Sequence, residues 1–401
     1  RDDVESRGLG DVYKRQAYGR DAKQIFEKNN IQIGCCLQML ATHTTTSPIL
    51  HMNSMYAAID LLLYNREELI IKCNAPTSIS DEELLLSYLT QFGMSALKDV
   101  NGDFSGVIYD ENAQTLTLFR DHMGIRPLYY YADNSFMAFS TDIRGLLGLD
   151  GVDSSLNEDW IYRTLSGYFV DSVTSTEYQN IFCVSPASYI TFSIKNEKIT
   201  QEIRSYWQLG KKKIHYTSFE LYKAKLKELV TDSIQRRLQA IPGKAGAELS
   251  GGLDSGVIGI LIHRLGRDCV YFSWSVDPNE IPYADHDERL IIKDICKQEH
   301  IQCHYSQMKS DRSMNSLLAR QMQSLGFSLD ENEPPALRYA MPPYINAMAL
   351  CDSCSCMHEN GASVIFTGHG GDEGISHRSS PYEMFYHHEY YHFFRSMWSS
   401  T

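Results

Sequence analysis

The stretch SGGLDSG at residues 250–256 decides the fold of the second half of this chain. A short strand is predicted to end at Leu249, and a helix is predicted to run to about Leu265 with Gly266 as its stop signal. In such a strand-to-helix turn, the backbone N–H groups and the helix N-terminus point at one anion-sized hollow. The motif therefore predicts a phosphate site. It is not a Walker A loop, because no Gly-Lys-Ser/Thr follows it.

The residue types of this motif suit phosphate chemistry. Gly251 and Gly252 let the backbone approach a ligand closely and accept left-handed φ angles. Ser250 and Ser255 supply hydroxyl donors, and Asp254 is suited to hold a magnesium ion. The simpler interpretation is a glycine-rich turn capped by Asp and Ser. The full heptad in this setting is much rarer than a short Gly-Gly turn, so the phosphate site is favoured.

A second glycine-rich loop, GHGGDE at residues 368–373, follows a predicted strand at residues 364–367. The carboxyl ends of parallel strands meet at one edge of a sheet, so this loop is expected beside the first. Asp254 and Asp372 are then predicted to share magnesium on a leaving pyrophosphate. Alone, the second loop favours a capped turn; paired with the first, it favours the metal site. Ser273, in a predicted strand, is equally consistent with an adenine or ribose contact and with an ordinary strand residue.

Strand and helix patterns divide the chain into two halves. Residues 31–132 are strand-rich, and one helix is predicted to interrupt them at residues 81–92, behind the N-cap Ser80. A later helix is predicted to open with Thr217 and Glu220 at capping-box spacing. Beyond it, helices and strands alternate, which predicts a parallel sheet with helical crossovers. The predicted division is residues 1–16 set aside as non-native, residues 17–205 as a layered antiparallel sheet sandwich, and residues 206–401 as a parallel α/β domain.

Composition and charge exclude several classes of protein. The chain has 401 residues and a formal net charge of −13, and its longest basic run is KKK at residues 211–213, so no nucleic-acid partner is expected. No apolar run approaches the ~20 residues of a spanning helix, and no secretory signal is visible, so we expect a cytoplasmic protein without a membrane partner. The ten scattered cysteines are expected to be reduced thiols. Cys351, Cys354, Cys356 and His358 are close enough in sequence to bind a metal, but they favour one continued helix.

Three motifs in order resemble those of the asparagine synthetase superfamily. SGGLDSG and GHGGDE are similar to its two nucleotide-site motifs, and NGDF at residues 101–104 leading to RDHMGIRPLYY at residues 120–130 is similar to the end of its glutaminase domain. The resemblance implies an N-terminal-nucleophile hydrolase sandwich followed by an ATP-pyrophosphatase domain. It also implies ATP and Mg2+ as cofactors, and a small-molecule or peptide carboxylate and an amine as substrates, and it allows a homodimer. The expected nucleotide contacts are Ser250, Gly251, Gly252, Asp254, Ser255, Gly256, Ser273, Gly368 and Gly370, and the expected magnesium ligands are Asp254 and Asp372.

The first half departs from the family at positions that serve glutamine hydrolysis. The family nucleophile is a cysteine that begins the mature chain, and the adjacent Cys35 and Cys36 lie elsewhere, just before Leu37, which occupies the place of the family's glutamine-binding arginine. The family's Asn-Gly-Glu falls on DLL at residues 60–62, and a carboxylate cannot donate to an oxyanion. Asp81 alone keeps a substrate-contacting position. The resemblance therefore implies a degenerate glutaminase half, as in relatives that form β-lactams or close lasso-peptide rings.

The leading hypothesis is an ATP-dependent ligase that joins a carboxylate and an amine without hydrolysing glutamine. Glutamine-dependent asparagine synthesis is one alternative, and a non-catalytic nucleotide-binding or scaffold protein is another. The family's phosphate-binding lysine has no match, since no lysine follows Lys309. We expect the chain to be a fragment, with that lysine beyond Thr401.

Overall fold

The computed structural model of the chain describes residues 21–28, 30–166, 173–195, 198–210, 214–306, 347–371 and 390. The chain divides into two compact units, Arg1–Pro242 with Ser313–Tyr344, and Gly243–Arg312 with Ile345–Thr401. The predicted domain division at residue 206 stays a prediction. No helix in the described ranges combines the length and the apolar character needed to cross a membrane.

In the part of the first unit that the structure describes, the strands form three antiparallel sheets. Their strands are β1 (Ala22–Lys28), β2 (Ile31–Leu37), β3 (Leu50–Met52), β4 (Met55–Leu63), β5 (Gly102–Asp110), β6 (Thr115–Arg120), β7 (Tyr129–Ala132), β8 (Met137–Ser140), β9 (Ile181–Cys183), β10 (Ser188–Lys195) and β11 (Lys198–Ser205). The largest sheet has six strands in the order β11-β10-β6-β5-β4-β3, all paired antiparallel. Strands β1 and β2 form a hairpin, and β8-β7-β9 form a three-stranded sheet.

The described part of the first unit contains more helices than the sequence predicted. They are α1 (Arg66–Cys73), α2 (Asp81–Phe92), α3 (Ile143–Leu147), α4 (Glu158–Leu165) and α5 (Phe219–Ala240), with a short 3-10 helix at Met94–Asp99. Helix α2 has the predicted bounds, and Ser80 and Glu83 form a capping box at its start. The expectation that one helix interrupts the strands of residues 31–132 is wrong, because α1 also lies there. Leu69 alone is buried in α1, so the eight-residue helix has too weak an apolar period to be recognised.

The six-stranded sheet carries a hydrophobic layer on each face. On one face, Ile59 and Phe104 pack with Leu69 and Leu84 of α1 and α2. Residues of alternate register, such as Val107, point to the other face and pack with side chains of β2 and β7. The predicted layered antiparallel sandwich is therefore confirmed.

Helix α5 is grouped with the first unit. The carbonyl of Ala240 accepts a hydrogen bond from the Thr42 N–H at 3.0 Å, and Arg236 forms a 3.0 Å ion pair with Glu68. The helix begins one residue later than the predicted capping box allows, because the Ser218 hydroxyl, rather than Thr217, accepts from the third backbone N–H of the helix.

The described residues of the second unit form a four-stranded parallel sheet with helices, as predicted. Its elements are β12 (Lys244–Glu248), α6 (Leu253–Arg264), β13 (Cys269–Val276), α7 (Glu288–Glu299), β14 (Cys303–Ser306), α8 (Ala347–Glu359) and β15 (Ala362–Phe366). The strand order is β14-β13-β12-β15, and each described pairing is parallel. The four residues proposed as alternative metal ligands, Cys351, Cys354, Cys356 and His358, all lie in α8, so the predicted continued helix is confirmed.

Candidate functional site

The first glycine-rich loop joins β12 to α6 at the carboxyl edge of the parallel sheet. The Leu249 N–H still donates to the Phe272 carbonyl of β13 at 2.8 Å, and the chain then leaves the sheet. Gly252 is the N-cap residue of α6 and supplies no side-chain cap. The first N–H groups of this helix therefore face outward without a side-chain oxygen from the N-cap residue, which is the arrangement that favours an anion.

The two serines of the motif shape this loop from inside. The Ser255 hydroxyl is buried, lies 2.8 Å from the Ser250 hydroxyl, and accepts the Ser250 N–H at 3.1 Å. The Ser250 hydroxyl also accepts the Gly252 N–H at 3.2 Å. Gly251 has φ +79°, and an added Cβ would lie 2.6 Å from the Glu288 carbonyl oxygen. Glycine is therefore required at this position both for its backbone angle and for space.

The second glycine-rich loop lies directly against the first. An added Cβ on Gly368 would lie 2.7 Å from the Ser255 backbone nitrogen, and one on Gly371 would overlap the Asp254 carboxyl group. Gly370 has φ +84°. The structure thus brings Asp254, Ser255 and the backbone of Gly368 and Gly371 together, as expected from the topology. Asp372, the second predicted magnesium ligand, lies outside the described residues.

Ser273, a predicted nucleotide contact, and Asp287, at the start of α7, have other partners. Ser273 is only 1% exposed, and its hydroxyl accepts the Ser275 N–H at 3.2 Å, so its side chain points inside the fold. Asp287 caps α7 and forms a 2.5 Å ion pair with Arg289. The Arg289 guanidinium holds the pKa of the Asp287 carboxyl well below its usual range. Ser273 stays a predicted nucleotide contact.

Sequence reasoning missed Glu248, Trp274 and His369. Glu248 ends β12 and is 7% exposed, and its carboxylate accepts the indole N–H of Trp274 at 3.0 Å. Burial raises the pKa of Glu248, while the Trp274 hydrogen bond and the charge of His369 oppose that rise. The signal available in the sequence was the charged Glu248 at the end of β12, a short strand whose other residues after Lys244 are Ala, Gly and Ala.

The described residues meet part of the requirements for binding a nucleoside triphosphate. An open helix end, close glycines and the Asp254 carboxylate are what a phosphate and its magnesium ion need. No group of three or more His, Cys, Asp or Glu residues is arranged to hold a metal ion within the ranges that the structure describes. Since Asp372 lies outside those ranges, the shared magnesium site stays a prediction.

The two carboxylates at the predicted glutamine-site positions of the first unit, Asp81 and Asp60, each lie beside an arginine. Asp81 is paired with the Arg66 guanidinium, which also donates to the Thr77 carbonyl at 2.8 Å. Burial raises the pKa of Asp81, and Arg66 opposes that rise. Asp60 lies 3.6 Å from Arg126. Each carboxylate thus already faces a guanidinium of the same unit.

Leu37, Leu61 and Cys35 stand at or beside the other positions where the first half departs from the family pattern. Leu37 and Leu61 are buried, and Leu61 belongs to the hydrophobic layer under α1 and α2. Cys35 lies within β2, and burial raises the pKa of its thiol to about 12. A thiol with that pKa is protonated at neutral pH and is a poor nucleophile.

The stretch at residues 120–130 serves the fold. The buried Asp121 carboxylate accepts backbone N–H groups from Met123, Ile125 and Arg126 at 2.9–3.0 Å. The Arg120 side chain donates to the Arg126 carbonyl at 2.6 Å and to the Val184 carbonyl at 2.8 Å. These bonds close the turn between β6 and β7, which explains why the motif needs both charges.

Two family models match the chain in the order of its two units. One is a glutamine amidotransferase domain, over residues 11–207, and the other is asparagine synthase, over residues 225–398. The chain belongs to the asparagine synthetase superfamily. The resemblance inferred from three motifs is thereby confirmed.

Several curated members of the superfamily are similar to the chain. A putative glutamine-hydrolysing asparagine synthetase of Methanocaldococcus jannaschii is 27% identical over 321 residues, covering 78% of this chain and 56% of that protein. Amidase chyE of Penicillium rubens is 25% identical over 346 residues, covering 80% and 47%. Glutamine-hydrolysing asparagine synthetase 3 of Bacillus subtilis is 29% identical over 219 residues, covering 53% and 33%. The chain thus spans about half the length of the first two.

Proposed function

We propose that the whole protein is a carbon–nitrogen ligase that adenylates a carboxylate with ATP, releases pyrophosphate and passes the activated acyl group to an amine. The observation that carries this proposal is the packing of the second glycine-rich loop on the first. Gly368 lies against the backbone of Ser255, and Gly371 lies against the carboxylate of Asp254. Membership of the asparagine synthetase superfamily supports ATP as the nucleotide.

The loops have separate tasks in this mechanism. The N-terminus of α6 and the glycine backbones bind and orient the phosphates, because N–H dipoles there favour negative charge. Asp254, with Asp372, would hold a magnesium ion, which supplies positive charge to a departing pyrophosphate. Ser250 and Ser255 keep the first loop in shape through their mutual hydrogen bond.

We further propose that the glutaminase half does not hydrolyse glutamine. A glutamine α-amine needs a free carboxylate, whereas Asp81 is neutralised by Arg66 and Asp60 faces Arg126. A glutamine carboxylate needs a cation, whereas Leu37 is apolar and buried. The amine would then be free ammonia or part of the substrate itself.

A second candidate, glutamine-dependent asparagine synthesis, is favoured by the similarity to glutamine-hydrolysing asparagine synthetases of M. jannaschii and B. subtilis. Incubating the full-length protein with glutamine separates the two. Glutamate release that is abolished by an alkylating glutamine analogue would establish the second candidate and contradict the degenerate pocket.

The ligase itself is tested by exchange of labelled pyrophosphate into ATP. Full-length protein is incubated with a panel of carboxylic acids, and the same reactions are run with the Asp254→Asn variant. Exchange that requires both a carboxylic acid and Asp254 supports the proposal. Failure of every acid, in a protein that binds ATP, would favour a non-catalytic nucleotide-binding protein.

A further inference from the structure

Glu248 is a buried carboxylate at the junction of three strand ends. It is the last residue of β12, two positions before Ser250 of the first glycine-rich loop. Trp274 comes from the neighbouring β13, and His369 comes from the loop that follows β15 on the other side. One of these neighbours thus belongs to a strand that flanks β12, and the other to the loop that follows the strand on its opposite side.

The burial of this carboxylate calls for a reason. A charged group that is 7% exposed loses most of its hydration, and burial accordingly raises the pKa of Glu248. An apolar residue would fill the position at lower cost, because buried ionic groups are often replaceable by apolar groups of similar size without loss of stability. The carboxylate does something an apolar residue cannot, which is to hold the indole N–H of Trp274 at 3.0 Å.

Trp274 and Ser273 are adjacent in β13 but differ in exposure, and Trp274 packs partly against the hydrophobic cluster of Phe272 and Met357. The Ser273 side chain points inside the fold, whereas Trp274 is half-buried at the carboxyl end of the same strand. His369 stands between Gly368 and Gly370, and Gly368 lies against α6. Through its hydrogen bond to Trp274, Glu248 therefore ties the carboxyl end of β13 to the start of the first glycine-rich loop, and its strand β12 pairs with β15, which leads into the His369 loop.

We propose that Glu248 is a positioning residue of the nucleotide site, which fixes the Trp274 indole by a hydrogen bond and keeps the His369 loop beside α6. The inference rests on the proposed function, because it takes the two loops to bind ATP. Glu248 touches neither phosphate nor acyl group in this assignment. It acts through Trp274 and the second loop.

The test measures affinity for the Mg2+ complex of α,β-methylene-ATP, whose methylene bridge prevents transfer of its AMP group, by calorimetry on the full-length protein. Glu248→Leu leaves the indole N–H without its acceptor, and we expect about tenfold weaker binding. Glu248→Gln keeps an oxygen that accepts the same N–H, and should recover most of the affinity. Trp274→Phe should weaken binding as Glu248→Leu does, and the double variant should bind no more weakly than either, because the two residues act as one unit.

A matched control removes a carboxylate from the opposite end of the same unit. Glu299 ends α7 and forms a 2.5 Å ion pair with Arg264. Glu299→Leu should leave analogue affinity unchanged, and an equal loss in this variant would reduce Glu248 to a general structural role. Wild-type affinity in Glu248→Leu, or additive losses in the double variant, would overturn the inference. If Glu248→Leu does not fold, weaker analogue binding by Trp274→Phe together with near wild-type binding by Glu248→Gln supports the inference. Wild-type binding by Trp274→Phe then overturns it.

Failure of the proposed function is distinguishable from failure of this inference. Wild-type protein that binds the analogue but shows no pyrophosphate exchange contradicts the ligase and leaves the positioning test valid. Wild-type protein that does not bind the analogue contradicts both.

Discussion

Substitution of Gly368 by alanine tests the packing of the two loops most directly. The added Cβ would lie 2.7 Å from the Ser255 nitrogen and 3.2 Å from the Ser255 Cα and Cβ, whereas ordinary contact begins at 3.4 Å. The loop must therefore move by about 0.7 Å, the difference between 3.4 and 2.7 Å. The atoms it meets belong to the first turn of α6, which cannot yield as a flexible side chain would.

The expected cost of this displacement falls mainly on turnover. Overpacking of this kind costs about 1–3 kcal/mol of stability, and a misplacement of about 1 Å near reacting groups can lower a rate by roughly 100-fold. We expect Gly368→Ala to retain its fold and to lose carboxylate-dependent pyrophosphate exchange by more than about tenfold. Thermal unfolding and exchange are measured on the same full-length preparation.

Gly361→Ala is the control for a glycine substitution in the same unit. Gly361 has φ +84°, and nothing lies within 4 Å of the added Cβ, so alanine there introduces backbone strain without a clash. It should lower the melting temperature through about 1–2 kcal/mol of strain and leave exchange unchanged. Equal exchange in Gly368→Ala and wild type would refute the view that the loops act at one site.

Three other substitutions extend the test. Asp254→Asn should lower pyrophosphate exchange by about 100-fold without changing the melting temperature, and near-normal exchange would remove Asp254 from the metal site. Arg66→Ala should lower the free energy of unfolding by about 3 kcal/mol, measured in urea, because it leaves the buried Asp81 carboxylate without its partner; a loss under about 1 kcal/mol would show the pair to be unimportant. Burial raises the pKa of Glu82 from 4.5 to about 7, so the stability it contributes is complete below pH 4.5 and is lost as pH rises through 7. Glu82→Gln keeps an acceptor for the Thr45 N–H and should reduce that pH-dependent loss by about 3 kcal/mol in urea unfolding at several pH values, and an unchanged slope would contradict the assignment.

Local signals in the sequence predicted much of the fold. Ser80 with Glu83 sets the start of α2, and the alternation of strand and helix after residue 240 predicted the parallel sheet, because both depend on neighbours in the chain. The start of a helix was predicted less well where either of two adjacent residues could serve as its N-cap. Thr217 and Ser218 are both good caps, and only the observed backbone shows that Ser218 accepts the N–H of Leu221.

The candidate site was predictable to the extent that it depends on backbone and topology. Glycines at the ends of parallel strands must meet at one edge, so Gly251 and Gly368 could be assigned from order alone. Side-chain direction could not be assigned in this way. Ser273 points inside, while Glu248 reaches Trp274 across the sheet, and both facts depend on which face of a strand each residue occupies.

The pairing of β12 with β15 also determines when, during folding, the two glycine-rich loops come together. The strands are adjacent in the sheet, yet β12 ends at Glu248 and β15 begins at Ala362. Contacts between segments so distant in sequence form late, because the intervening chain must lose entropy before they are made. The contact between the two glycine-rich loops is therefore absent from any partly folded form in which β15 has not docked, and with it the nucleotide site that we propose. Nucleotide would bind the finished second unit and no earlier state, and it would raise the stability of that unit in proportion to the logarithm of its concentration.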